Sequence, residues 1–239
     1  KKTIFNHPIY IIDRNNDYSY VWYPIGGGAK HIIIKNYISI EKIAELIGFY
    51  FGDGSTSKGI RSFRLTNCEP SVLNYCLDAL EEMGIPRNSF KMQIIYSTNK
   101  ELTESIKSRC LIFWSKTLKI DKVVSVLKSK NIRETLEYGS VRIFIDNAVL
   151  VEIFLHGLLK DILLRITNPK NSTDKKLLKG FIRGLLAAEG GIYLNKNGTV
   201  VKIGISYDPH SNELDLYKEL LKNLNINYGG TKGNEFYIY

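Results

Sequence analysis

The sequence predicts an α+β fold made of two pseudo-symmetric repeats, each with the element order αββαββα. Three observations predict it. Two helical segments, 46–54 and 182–190, are alike because each ends in an acidic residue followed by glycine. After each segment come runs with period-two alternation, which is typical of strands, then a helical pattern and more strand-like sequence. A polar segment interrupted by proline, residues 167–174, separates the two copies.

An N-terminal extension precedes the repeats, and the repeats differ in length. We expect the extension at 1–39, repeat 1 at 40–166 with a helical insertion at about 100–131, the linker at 167–174, and repeat 2 at 175–239 without a last helix. The extension alternates in two short runs around the glycines at 26–28, which indicates a pair of strands joined by a turn.

Capping residues set the predicted helix boundaries. Ser39 precedes the first helix and Pro70 opens the second. Either Thr173 or Asp174 caps the helix that ends at Glu189. The remaining predicted helices cover about 101–130, 147–166 and 211–224, and the predicted strands are 61–67, 90–97, 141–146, a hairpin that turns at 197–198, and 235–239.

The composition favours a polyanionic partner. Of 239 residues, 33 are lysine or arginine and 24 are aspartate or glutamate, which gives a formal net charge of +9. Such an excess favours phosphate-rich partners because binding releases condensed counterions, although charge alone fits a protein that is simply basic equally well.

No apolar stretch approaches the roughly 18 residues of a membrane span. Three cysteines without a Cys-x-x-Cys spacing fit a reducing compartment, so we expect an intracellular protein, cytoplasmic or organellar.

Asp53 and Glu189 stand where ordinary stability would not place an acid. The end of a helix carries roughly half a negative charge, so an acid in the last turn costs about 0.3–1 kcal/mol. Each acid precedes a glycine, which suits a left-handed helix cap. Each helix also has two small residues four apart, which allow close packing on one face: Gly48 and Gly52 in one helix, Gly184 and Ala188 in the other. Packed in parallel, the helices would bring both acids together, and a divalent cation would offset their repulsion; the alternative is two unrelated exposed acids.

Residues 46–54 (LIGFYFGDG) and 182–190 (IRGLLAAEG) resemble the paired LAGLIDADG motifs of a monomeric, two-repeat homing endonuclease. The resemblance extends over nearly all of the chain from about residue 40. It implies that the two motif helices share an interface and that saddle-shaped antiparallel sheets lie over the DNA. The implied activity is a double-strand break, made by hydrolysing one phosphodiester on each strand of a long asymmetric DNA site.

The same resemblance implies the site residues. Asp53 and Glu189 fall on the acidic positions that bind Mg²⁺ (or Mn²⁺), with Gly52 and Ala188 beside them at the metal site. Asn67 matches a position where the family often has a polar helper of catalysis.

The lysine that assists the hydrolytic water is left open. Cys68 stands where some relatives have a basic residue, so this sequence departs from the pattern there. Lys202 and Lys91 are the candidates that remain.

Strand alternation assigns side chains to the face that would meet DNA. Phe63 and Leu65 belong to the core in repeat 1, and Val201, Ile203 and Ile205 point inward in repeat 2. The residues assigned to the outer faces are Ser62, Arg64, Thr66, Lys91, Gln93, Ser97, Arg142, Lys202 and Ser206. Arginine, lysine and glutamine on strands suit the reading of base edges, where a bidentate contact discriminates by about 1–3 kcal/mol. A solvated sheet face is the alternative for any single residue.

The main alternative function is the same fold without cleavage, as an RNA maturase or a DNA-binding regulator. Such a protein needs the basic surface but does not need both acids. Because Asp53 and Glu189 are both present, we expect the enzyme, a monomer with internal pseudo-twofold symmetry that acts on double-stranded DNA.

Overall fold

The computed structural model describes residues 10–22, 31–54, 62–98, 101–129 and 136–239. The turn expected at 26–28 and the expected strand residue Arg61 lie outside these residues. The chain divides into two compact units, the first made of Lys1–Ile38 with Gly54–Ile153 and the second of Ser39–Asp53 with Phe154–Tyr239. The helix that opens repeat 1 thus belongs to the second unit by its contacts, and the repeat boundaries stay a prediction.

The α+β class predicted from the sequence is confirmed, with helices and mainly antiparallel sheets in the described part of the chain. None of the helices found there is long and apolar enough to cross a membrane.

The first unit begins with a three-stranded antiparallel sheet. Its strands are β1 (Tyr10–Arg14), β2 (Tyr18–Trp22) and β3 (His31–Lys35), in that order. Val21 and Ile32 are buried on one face. The Lys35 amide donates to the Met83 carbonyl oxygen at 2.9 Å, which fastens this sheet to the rest of the unit.

A second, four-stranded sheet forms the centre of the first unit. Its elements are β4 (Phe63–Asn67), α2 (Pro70–Glu82), β5 (Lys91–Ser97), α3 (Glu104–Leu118), β6 (Val123–Ser129) and β7 (Ser140–Ile145), and the strand order is β4-β7-β5-β6. Pro70 opens α2 as predicted, since proline loses no hydrogen bond in the first turn. Phe63, Leu65, Met92 and Ile94 are fully buried, so the predicted alternation of β4 and β5 is confirmed.

The insertion predicted as helical at about 100–131 contains a strand, and that part of the prediction was wrong. Helix α3 ends at Leu118, its cap residue Lys119 has left-handed backbone angles with φ 54°, and β6 then pairs with β5 in parallel. Parallel neighbours need a crossover connection, which α3 supplies. Val123, Val124 and Val126 favour a strand because β-branched side chains are restricted in helices.

One long helical segment leads from the first unit into the second. Asn147 caps α4 (Ala148–Val151) by accepting the Leu150 amide at 3.1 Å. The wider π-helical turns of Glu152–Leu158 follow, and then α5 (Leu159–Thr167). The helix predicted at 147–166 is therefore present, with a widened middle.

The second unit combines two long helices with a four-stranded antiparallel sheet. Its further elements are α1 (Ile40–Asp53), α6 (Ser172–Glu189), β8 (Gly190–Leu194), β9 (Val200–Ser206), α7 (Glu213–Asn223), β10 (Tyr228–Lys232) and β11 (Glu235–Ile238), and the strand order is β10-β11-β9-β8. Phe181, Leu185, Ile205, Leu220 and Phe236 are fully buried between helices and sheet. The predicted β8–β9 hairpin is confirmed, with Gly198 at φ 76° in its turn.

Helix α6 begins earlier than predicted. Asn171 is its cap, because the Asn171 Oδ1 accepts the Asp174 amide at 2.9 Å. Asp174 is buried and accepts from Arg165 Nε at 2.8 Å and from the Lys170 amide at 3.1 Å. Thr173 and Asp174 therefore lie inside the first turn, and the Asp174 carboxylate instead holds the preceding segment against the helix.

The core covers only one end of the β8–β9 hairpin. Ile205 is fully buried, whereas Val201, which was predicted to point into the core, is 54% exposed. Ile192 and Leu194 on the paired strand are exposed as well. Alternation assigned Val201 to the correct face, but that face is not covered near the turn.

Candidate functional site: paired helix ends and two polar sheet faces

Helices α1 and α6 pack so closely that glycine is required at the contact. A β-carbon at Gly48 would overlap the Phe181 carbonyl oxygen, and one at Gly184 would overlap that of Glu45. Only a hydrogen atom fits at these two positions. The predicted packing of the small-residue faces is therefore confirmed.

The same packing joins the C-terminal ends of the two helices. A β-carbon at Gly52 would lie 2.6 Å from Ala188 Cβ and 2.9 Å from Glu189 Cγ. Glu189 thus lies against the residue that precedes Asp53, so the two predicted metal-binding acids stand at adjoining helix ends. The predicted left-handed cap after Glu189 was wrong: Gly190 has φ −83° and ψ 135°, and the chain runs from it directly into β8.

The environment of Glu189 opposes its negative charge. Burial and the carboxylate of Glu213 raise the pKa of Glu189. Burial, Glu213 and Glu189 also raise the pKa of Tyr217, a buried residue of α7. Neither α1 nor α6 has a basic residue in its last turn. The negative charge at these helix ends is therefore not offset by a basic residue in either last turn.

The donor set at the helix ends fits a hard cation that keeps some water ligands. Among the described residues no group of three or more His, Cys, Asp or Glu side chains could hold a metal ion. Two carboxylates with backbone carbonyl oxygens match Mg²⁺ or Mn²⁺, because Mg²⁺ is usually bound through one or two carboxylates together with water and phosphate oxygens. A zinc site would require nitrogen or sulfur ligands.

The sheet of the first unit brings four predicted contact residues together. Arg142 donates from Nε to Thr66 Oγ1 at 3.4 Å and from Nη1 to Gln93 Oε1 at 3.3 Å. Gln93 in turn donates to Ser125 Oγ at 3.0 Å. A cavity of about 250 Å³ opens beside this network and is lined by Arg64, Gln93, Arg142 and Phe144. The network fixes the Arg142 guanidinium in one orientation on the face of the sheet.

Lys91 lies on the same face but is paired with an acid. Its ammonium donates to Asp146 Oδ2 at 3.0 Å and lies 5.9 Å from the centre of the Phe144 ring. Although partial burial of the carboxyl acts in the opposite direction, the contact with Lys91 holds the pKa of Asp146 below its ordinary value. Lys91 therefore contributes less net charge to this face than the sequence indicates.

Three other predicted site residues of the first unit, Ser62, Ser97 and Asn67, lie outside the Arg142 network. Ser62 was assigned to the outer face, but it is only 4% exposed, so as placed it is not available to a ligand. Ser97, the last residue of β5, is half-buried. Asn67 accepts the Glu69 amide at 2.7 Å and thereby shapes the turn between β4 and α2. The catalytic role of Asn67 stays a prediction.

The sheet of the second unit presents a cluster that the sequence did not reveal. Tyr193 and Tyr237 both donate their hydroxyls to the Glu235 carboxylate, at 2.6–2.8 Å. The Lys202 ammonium lies over both rings, 3.5 Å from the Tyr237 centre and 4.6 Å from the Tyr193 centre. Ser206 lies opposite Glu235 in the register of β9 and β11. Lys202 is thus part of this cluster, and its role in hydrolysis stays a prediction.

Glu235, Tyr193 and Tyr237 were missed because their neighbourhood depends on strand register. Tyr193 pairs with Lys202, and Tyr237 pairs with Gly204, on opposite sides of β9. Alternation within each strand places every one of these side chains on a face. It does not reveal which strands become neighbours, so it cannot assemble the cluster.

Comparison with known proteins gives structural likeness only. No family model matches the chain, and no curated protein matches it. The crystal structure of the N-terminal LAGLIDADG domain of DUF199/WhiA is similar with a TM-score of 0.44 and 15% identity, over 83% of this chain and 75% of that one. Full-length DUF199/WhiA from Thermatoga maritima is similar with a TM-score of 0.47 and 16% identity, over 84% of this chain and 52% of that one. Mesophilic variants of the homing endonuclease I-DmoI are similar with a TM-score of 0.37 and 15% identity, over 83% of this chain and 82% of that one. Likeness of this degree does not assign a function to the chain.

Proposed function

We propose that the chain is a metal-dependent, site-specific endonuclease of the LAGLIDADG homing type, which hydrolyses one phosphodiester on each strand of a long asymmetric DNA site. One observation carries the proposal. Two matched helices, α1 and α6, pack through their glycines and end side by side in Asp53 and Glu189. Folding stability gains nothing from two acids at adjoining negative helix ends, whereas hydrolysis with a divalent cation requires such acids.

Asp53 and Glu189 would hold the cation, with the backbone oxygens of Gly52 and Ala188 as further ligands. An ion bound there would supply a more acidic water and would stabilise the charge that develops on the leaving oxygen. The half-buried setting of Glu189 would strengthen its attraction for a cation, because the surrounding dielectric is lower than that of water. The close contact of the two helices would keep both acids near each other before DNA binds.

The sheets would contact the DNA. Each unit has one sheet face with charged and hydrogen-bonding side chains, centred on Arg142 in the first unit and on Lys202 in the second. The net charge of +9 supplies the general attraction to phosphate. Arg142 and Gln93 are residue types that pair with guanine and adenine edges in the major groove.

A second candidate is a nucleic-acid-binding protein that does not cleave, either a DNA-binding regulator or an RNA maturase. One observation favours it. Both lysines considered for assisting the hydrolytic water are engaged elsewhere, Lys91 with Asp146 and Lys202 with two tyrosine rings. Such a protein would use the same sheet faces without a reaction at the helix ends.

The deciding experiment compares cleavage and binding on a randomised duplex DNA library. The parent, Asp53→Asn and Glu189→Gln are assayed for cleavage in Mg²⁺ and for binding in Ca²⁺, with Glu219→Gln on the exposed side of α7 as a control. We expect the parent and the control to cut both strands of one long site. Both site variants should bind that site and cut it at least about a hundredfold more slowly, the scale on which loss of one charge-stabilising group acts.

Two outcomes would contradict the proposal. If the parent binds a DNA site and never cuts it, the endonuclease is ruled out and the DNA-binding regulator remains. If the parent prefers structured RNA and selects no duplex site, the maturase remains.

A further inference from the structure

The cluster around Glu235 is a built site on the sheet of the second unit. Tyr237 is only 7% exposed, so its ring forms a fixed wall, and the Tyr193 ring lies across from it with ring centres 6.0 Å apart. Gly204 lies between them, where a β-carbon would be 3.0 Å from the Tyr193 ring and 3.6 Å from the Glu235 carboxyl carbon. Glycine at this position therefore makes room for the arrangement.

The Glu235 carboxylate keeps unused capacity to accept hydrogen bonds. A carboxylate offers about four lone-pair positions, and each tyrosine hydroxyl has one proton to donate. In the described part of the chain the carboxylate accepts only from these two hydroxyls: Tyr193 lies 2.7 and 2.6 Å from its two oxygens and Tyr237 lies 2.8 Å from Oε2, so two protons serve about four positions. Those hydrogen bonds, together with Lys202, hold the pKa of Glu235 below its ordinary value, so the group stays an acceptor only.

The Lys202 ammonium next to this carboxylate offers donors. It lies against the faces of the Tyr237 and Tyr193 rings, which attract its charge, and among the described residues its N–H groups donate to no acceptor. The cluster thus presents acceptors from Glu235 and donors from Lys202 on one sheet face. A C·G pair presents a complementary pattern in the major groove, because cytosine N4 donates while guanine O6 and N7 accept; in an A·T pair the adenine N6 donor has an acceptor on each side, adenine N7 and thymine O4.

We propose that Glu235 and Lys202 together read one C·G base pair of the target, with Glu235 accepting from cytosine N4 and Lys202 donating to guanine. This inference rests on the proposed binding of duplex DNA and names the base that one position of the site must hold. Adenine is disfavoured because its N7 acceptor lies beside its N6 amino group and would meet the carboxylate. Thymine is disfavoured because its O4 is also an acceptor.

The proposal also explains an acid on a face that would meet polyanionic DNA. A lone carboxylate would repel phosphates, whereas this one lies beside an ammonium and is held by two hydroxyls. The Arg142 network of the first unit has the opposite polarity, since a guanidinium only donates. The two sheets therefore prefer different base edges, which agrees with an asymmetric target.

The test is a binding-site selection from randomised duplex DNA, carried out in Ca²⁺ so that the result does not depend on cleavage. The parent, Glu235→Gln and Glu219→Gln are compared for base frequency at each position, and circular dichroism checks that each is folded. We expect one position at which the parent prefers C·G and Glu235→Gln prefers A·T by at least about tenfold, because glutamine pairs with adenine N6 and N7. Glu219→Gln removes the same charge from an exposed helix residue and should select the parent's site.

Tyr193→Phe keeps the carboxylate and the ring and removes one hydroxyl, so it serves if Glu235→Gln does not fold. It should weaken the C·G preference at that same position and leave the other positions unchanged. If the parent selects a site and these variants change no single position, or weaken all positions equally, Glu235 does not read a base and the inference is wrong, while DNA binding stands. If the parent selects no duplex site at all, the proposed function fails together with the inference.

Discussion

Gly184 packs directly on the carbonyl oxygen of Glu45, so that a β-carbon at position 184 would overlap that oxygen. The reciprocal contact joins Gly48, one turn after Glu45 on α1, to the Phe181 carbonyl oxygen of α6. These two contacts set the distance between α1 and α6, and so they bring the C-terminal ends that carry Asp53 and Glu189 close to each other. The packing of the two helices therefore also determines where their acidic ends lie.

Gly184→Ala should destabilise the second unit. The added methyl group has no space at the helix contact, and overpacking of this kind costs about 1–3 kcal/mol. We expect a lower urea midpoint with an unchanged m-value. Gly230→Ala is the matched control, because none of the described residues lies within 4 Å of the new β-carbon and Gly230 has no left-handed backbone angle. Equal midpoints for the two variants would show that the helices do not pack through Gly184.

Glu189→Gln should stabilise the metal-free protein at neutral pH. Burial and Glu213 raise the pKa of Glu189 in the folded state, so ionisation is harder there than in the unfolded chain. The free energy of unfolding is then highest below the pKa of Glu189 in the unfolded chain, roughly 4.3. It decreases as pH rises through the pKa of Glu189 in the folded protein. Glutamine carries no charge and removes this loss, so the two proteins should differ at pH 7 and converge near pH 4.

Thermal unfolding of the parent and Glu189→Gln in EDTA, followed by circular dichroism across that pH range, measures the difference. Glu219→Gln, on the exposed side of α7, should unfold like the parent at every pH. Addition of Mg²⁺ should raise the Tm of the parent more than that of Glu189→Gln, because the ion binds only the folded state. A lower Tm for Glu189→Gln at pH 7 in EDTA would contradict the expected electrostatic cost of the carboxylate.

The sequence predicted features that depend on residues near each other in the chain. The glycines of α1 and α6 predicted the helix contact because spacing by four places small residues on one face. Alternation placed Arg64, Thr66 and Gln93 on one face of β4 and β5, and the structure joins Thr66 and Gln93 through Arg142, with Arg64 lining the cavity beside them. Here each prediction needed only the period of the helix or strand.

The features that were missed depend on partners far along the chain. Whether 123–129 continues a helix or joins a sheet is decided by the free edge of β5, with which it pairs in parallel. The neighbourhood of Glu235 depends on its pairing with β9, which sequence periodicity does not report. Burial of Ser62 and exposure of Val201 likewise depend on which segments cover each strand end.

Arg142→Lys should relax the choice of base at one position of the DNA site without reducing general attraction to DNA. Lysine keeps the charge, so the dependence of binding on salt should be unchanged. It loses the planar fork that Thr66 and Gln93 orient, and with it about 1–3 kcal/mol of discrimination. Binding assays against the selected site and its single-base variants, at several salt concentrations, measure both quantities. Arg109→Lys on α3 is the matched control and should keep the parent's preference. If Arg142→Lys retains full discrimination and loses affinity equally for every sequence, Arg142 contacts phosphate and not a base.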